Sequence, residues 1–308
     1  MTESSTSKGR HGGPVIAIAW LLIGALCLTT AQAQTANNPI DVGGVTIEAP
    51  SLPGFNEISK ISPEVVALAE AMIPPANRLL GVYLSDRDYE KLVNGESPEF
   101  DRYIFIQVHR ELENKNVSRA DFREIATQLK AQQDTILDDV REDVGKIFDS
   151  ASNQISKDYD VSLDMRLGDQ KSLGVFLDQP NAVAFTSLVK YQGSLEGESF
   201  DYVMAGSTML MKVKRRLLYL YVYSQYDEQA DADWVESRTT ELANLLLTAN
   251  HTSAESNDGI GASFFSAINF RSVVSSSIIG AIVGGFVALM FVLFGGSKRR
   301  AAKRDGGG

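Results

Sequence analysis

Met209–Tyr226 reads MLMKVKRRLLYLYVYSQY, two apolar arms joined across a basic centre. Alternation along the arms predicts two strands, and the charged centre predicts the turn between them. On the second arm Leu218 and Leu220 fall on one face, Tyr219, Tyr221 and Tyr223 on the other. One face must be buried in a core. The tyrosine row is then a candidate protein-contact surface, unless a helix covers both faces. Lys212, Lys214, Arg215 and Arg216 at the tip form a candidate contact patch for anionic headgroups or an acidic partner. The alternative is a hairpin turn kept soluble by its charges.

Working outward, Leu163–Leu167, Ser172–Leu177, Ala182–Tyr191 and Phe200–Val213 are further extended segments, with Gly, Asp, Asn and Pro turns between them. Arg102–His109 alternates cleanly, Arg78–Leu84 reads as a strand, and Val45–Ile47 as a short one. Helical periodicity appears in four places. Ser62-Pro63 opens a helix carrying Val65, Val66, Leu68, Ala69 and Met72, stopped by Pro74-Pro75. Asp86–Val93 is short. Ser118 and Asp121 form a capping box for a long amphipathic helix through Phe122, Ile125, Leu129, Ile136, Val140, Val144 and Ile147. It ends near Ser150, with a bend at Gln132–Asp134. Asp231 caps a closing helix with Trp234, Val235, Leu242, Leu245 and Leu246 on its apolar side. The implied class is α+β: an antiparallel sheet with helices packed on its faces, plus one C-terminal transmembrane helix.

GVTIEAP near the start, the hairpin quoted above and a closing helix beginning DADW together resemble the PsbP-like α/β sandwich, which includes DcrB-type bacterial envelope proteins. The resemblance covers residues 43–250. It implies an assembly, binding or accessory module rather than an enzyme, and it carries over no catalytic residue.

The transmembrane expectation rests on Val273–Phe294, VVSSSIIGAIVGGFVALMFVLF, which holds no charge and as a helix is long enough to cross a bilayer. Lys298, Arg299, Arg300, Lys303 and Arg304 follow it, which places the C-terminus in the cytoplasm and the domain outside. Ser276, Gly280, Gly284 and Ala288 form a small-residue stripe at four-residue spacing. Such a stripe suits homodimerisation or docking on another membrane protein's helix, and is also common composition for a membrane span.

At the other end, Lys8 and Arg10, the apolar run Val15–Leu28 and Ala31-Gln32-Ala33 read as a secretory signal cleaved after Ala33, or after Ala31. A lipoprotein is disfavoured because Leu26 precedes Cys27 where a small residue is needed. Cys27, the sole cysteine, would leave with the signal, so no disulfide or thiol ligand is expected. The layout is a signal peptide over 1–33, a periplasmic α+β domain over 34–252, a tether and interfacial segment over 253–272, the transmembrane helix over 273–294 and a basic cytoplasmic tail over 295–308. Localisation in a bacterial inner membrane follows. The chain carries a formal charge of −10, and the part between signal and span is more acidic still, which disfavours nucleic acid as a partner.

No catalytic constellation is present. There is no Gly-x-Ser-x-Gly, P-loop or dinucleotide-binding glycine motif, and no paired histidines for zinc. His109, at a strand end, suits a structural role. Asp138, Asp139, Glu142 and Asp143 match no calcium-loop spacing and read as a solvated helix face, while Asp227, Glu228, Asp231 and Asp233 suit a helix N-terminus. No cofactor, metal or catalytic residue is expected. The leading expectation is a membrane-anchored periplasmic binding, scaffolding or assembly-accessory protein with an envelope protein as partner. The alternative is a periplasmic sensor of a small ligand or cation, and an unrecognised hydrolase ranks last.

Overall fold

The computed structural model describes residues 38–132, 135–251 and 272–285. The chain divides into two units, Met1–Thr35 and Ala36–Gly308. The first, with the expected signal peptide, lies outside the described residues, as do residues 253–271 of the expected tether, Phe286–Phe294 and the basic tail.

In the second unit, β1 (Asn38–Val42) and β2 (Val45–Ala49) form a separate hairpin. Its turn is Gly43-Gly44, both at positive φ, as a tight two-residue hairpin turn requires. β1 falls in a stretch whose Gly and Pro content predicts only a polar leader. The remaining strands are β3 (Phe55–Glu57), β4 (Asn77–Ser85), β5 (Arg102–His109), β6 (Leu163–Gln179), β7 (Ala182–Leu195), β8 (Glu198–Val213) and β9 (Arg216–Gln225). They make one seven-stranded sheet in the order β3-β4-β5-β9-β8-β7-β6, every pairing antiparallel. Leu163–Leu167 and Ser172–Leu177 are one continuous strand: register shifts between Leu167 and Gln170 and around Gly174 absorb the Gly-Asp break that reads as a turn.

Helices α1 (Pro63–Met72) and α2 (Asp86–Val93) fall where the proline and apolar pattern puts them. The long helix from Ser118 is three helices, α3 (Arg119–Gln132), α4 (Ile136–Asp139) and α5 (Arg141–Tyr159). Its capping box is real: the Ser118 amide donates to Asp121 Oδ2 at 2.9 Å, and the Asp121 amide to Ser118 Oγ at 3.1 Å. This helical run carries the chain from β5, in the middle of the sheet, to β6 at its far edge. Helix α6 (Gln229–Ala249) closes the domain, capped by Glu228, with Asp231 as the reciprocal partner in a capping box.

Strand alternation sorts the core into two clusters. Ile104, Ile106, Leu218, Leu220 and Val222 pack with Val235, Leu242 and Leu246 of α6 and with Val42 and Ile47 of the hairpin. Tyr103, Phe105, Tyr219, Tyr221 and Tyr223 belong to the other cluster, with apolar residues of α1, α3, α4 and α5. The α+β class, an antiparallel sheet with helices on its faces, is what the structure has.

The second cluster has one more member. Residues 272–285 are helical and are designated α7. Among the described residues no helix is long and apolar enough to cross a membrane. Ser272 is exposed and Ser275 half-buried; every other residue of α7 is buried. The sequence predicts this segment to stand apart from the domain beyond a tether. Its described part is instead built into the core.

Candidate functional site

The seat of α7 is made by the tyrosine row. Strand side chains on one face recur every two residues, roughly 6.8 Å, and helix positions on one face recur every four residues, about 6 Å. The two repeats nearly match, and α7 runs alongside β9 in the same direction. Tyr219, Tyr221 and Tyr223 donate through their hydroxyls to the carbonyl oxygens of Val273 (3.1 Å), Ser277 (3.0 Å) and Ala281 (2.9 Å), each two residues along the strand and four along the helix. Tyr103, the cross-strand partner of Tyr223, continues the row to the carbonyl of Gly284 at 3.0 Å, and Tyr191 on β7 donates to that of Ile282 at 2.6 Å. Asn77 Nδ2 reaches the carbonyl of Ser276 at 3.2 Å. All these bonds go to backbone oxygens.

The small-residue stripe permits this approach. A Cβ on Gly280 would lie 2.8 Å from the Tyr221 hydroxyl and 3.1 Å from both Asn77 Nδ2 and Gln107 Oε1. One on Gly284 would overlap the Tyr223 hydroxyl, and one on Gly285 that of Tyr191. Ser276, Gly280 and Gly284, expected to face another helix, therefore face the sheet; Ala288 lies outside the described residues. The same chemistry is at work in both cases, since a bare backbone lets a neighbour come close. Here the neighbour is a phenol instead of a second helix.

The tyrosines are packed ring against ring. Tyr103 and Tyr223 stack with centroids 4.7 Å apart, and Tyr191 stacks on Tyr202 at 5.2 Å. Burial pushes the phenols of Tyr191, Tyr202, Tyr219, Tyr221 and Tyr223 above their ordinary range, so each stays protonated. Beneath Gly280, Asn77 Nδ2 also donates to Gln107 Oε1 at 3.0 Å, while Asn77 Oδ1 and Gln107 Nε2 have no hydrogen-bond partner among the described residues. Both residues are fully buried.

The other sequence candidates do not gather into a site. The basic tip splits: Lys212 and Arg216 are buried, Lys214 donates to the carbonyl of Thr46, and Arg215 is exposed. Arg216 donates to the carbonyls of Val42, Gly43 and Lys115 and to Asn116 Oδ1, tying the β1–β2 turn to the loop before α3. The tip thus locks the fold together rather than presenting one cationic patch. His109 is buried, accepts the Glu111 amide at Nδ1 and is held below its ordinary pKa by desolvation. Asp138, Asp139, Glu142 and Asp143 are exposed, with Lys146 against the last two. Among the described residues no group of three His, Cys, Asp or Glu can hold a metal ion. Asp227 and Asp231 line a polar hollow of about 340 Å³ with Glu99, Asp101 and Arg102, where Arg102 pairs with Asp231 at 3.4 Å. Lys298, Arg299, Arg300, Lys303 and Arg304 lie outside the described residues.

No family model and no curated protein matches the chain. A solved structure with some likeness is the 1.9 Å crystal structure of the Saccharomyces cerevisiae Ran-binding protein Mog1p, 11% identical, covering 70% of this chain and 93% of that one, with a TM-score of 0.24. At that score the likeness carries no argument.

Proposed function

We propose that the chain is an exported, single-pass protein of the bacterial inner membrane whose periplasmic domain, a PsbP-like sandwich, binds or scaffolds another envelope component without catalysis. Val273–Phe294 is its anchor and the basic tail its cytoplasmic end. The observation that supports binding is the tyrosine bed: five hydroxyls donating to five backbone carbonyls of one apolar helix. Those phenols are buried and spent on backbone oxygens, an arrangement suited to holding a helix and unsuited to moving protons.

A reporter fused after Gly308 tests the topology together with alkaline carbonate extraction. The expected result is a chain that stays with the membranes and a reporter active only in the cytoplasm. A chain released by carbonate, or a reporter active only outside, overturns the reading.

A further inference from the structure

We propose that the tyrosine bed is an exchangeable receptor for an apolar helix, and that α7 occupies it in place of a helix from a second polypeptide. This rests on the anchoring reading above and names the class of partner: an uncharged helix with small residues where α7 has Ser276, Gly280 and Gly284, as in a membrane span of another exported protein.

Three observations carry it. First, the bed recognises helix backbone. Its five hydroxyls and the Asn77 amide each reach a carbonyl oxygen of the helix, so an occupant needs helicity, apolar flanks and room for Tyr221 and Tyr223. Second, α7 leaves polar atoms unmet, since Asn77 Oδ1 and Gln107 Nε2 are buried without partners among the described residues. Unpaired buried amides penalise the docked state of α7, which makes it easier to release. Third, the two homes of the segment exclude each other. A span needs roughly 20 apolar residues. Val273–Phe294 supplies them only if the residues now on the bed enter the bilayer. When they do, a tyrosine-lined floor tolerates water at its polar tips and still offers its rings to a new helix.

The test uses the full-length chain with benzoylphenylalanine in place of Tyr221, reconstituted in phosphatidylethanolamine–phosphatidylglycerol vesicles. The probe is a biotinylated 22-residue peptide of sequence Val273–Phe294. Illumination is expected to join the peptide to the domain, and a peptide carrying G280L and G284L to be captured at least about tenfold less. The photoreactive group at Tyr191, on another strand, should give the same contrast if the first variant misfolds. Crosslinks confined to the chain's own residues 272–285 in vesicles overturn the proposal, as does equal capture of both peptides. Carbonate extraction of the same vesicles separates the two failures. A chain that is retained but captures no peptide refutes the exchange alone, whereas a chain that washes off refutes the anchoring on which it rests.

Discussion

The hydroxyl of Tyr223 donates to the carbonyl of Ala281 at 2.9 Å, and the absent side chain of Gly284 is what admits it. Gly284→Ile places a branched side chain where the phenol sits, in a core with no slack. Overpacking of this kind costs about 1–3 kcal/mol, and the β-branched side chain should reach the upper end. In aqueous buffer the variant should expose residues 272–285 to protease and lower the melting temperature by several degrees, at roughly 2–4 °C per kcal/mol for a domain of this size. Unchanged melting and protection would mean that α7 is not held on the sheet.

Replacing Tyr219, Tyr221 and Tyr223 together with Phe keeps the rings and removes three donors. The helix carbonyls keep their intrahelical partners, so each loss should sit near the low end of about 0.5–1.5 kcal/mol. A summed loss of about 2 kcal/mol is expected in urea unfolding, with little change in the denaturant slope. A loss near zero would show that the hydroxyls gain nothing from the helix backbone.

How much of this was legible in the sequence depends on the length scale of each signal. Arg102–His109 alternates without interruption, and its strand bounds are those of the pattern. That the helical run divides after Gln132 was visible as polar residues in an apolar seam. β1 was not legible, because its partner is a hairpin arm whose apolar residues only make sense once α6 covers them. The tyrosine row and the Gly280–Gly284 stripe were each visible as something that wants a close neighbour. That they want each other was not, because strand spacing and helix spacing agree only when laid side by side. The buried state of Lys212 and Arg216 was equally hidden: a basic tip reads as solvated until carbonyls from two distant loops are seen around Arg216.

Alkaline pH should loosen the bed. In the folded protein burial raises the phenols of Tyr191, Tyr202, Tyr219, Tyr221 and Tyr223 above the unfolded value of 10.0. The folded state therefore binds more protons than the unfolded chain above that pH. The stability these groups contribute is fully present below pH 10 and is lost as pH rises beyond it. Tyrosinate absorbance from the buried set should appear above pH 10 and together with unfolding. A single phase at the ordinary tyrosine pKa would contradict their burial.

Arg216 offers the sharpest contrast between a contact patch and a structural lock. Its guanidinium serves four acceptors, the carbonyls of Val42, Gly43 and Lys115 and the side chain of Asn116. Desolvation lowers its pKa, yet it stays charged at any pH in use. Arg216→Ala leaves those acceptors partly buried without donors, a loss of about 2–4 kcal/mol in denaturant midpoint. Arg216→Lys should recover little of it, because one ammonium cannot reproduce a planar fork spread over two loops. Arg215→Ala, one residue earlier and exposed, should cost under about 0.5 kcal/mol. Equal effects at positions 215 and 216 would mean that the tip acts through its charge and not through this lock.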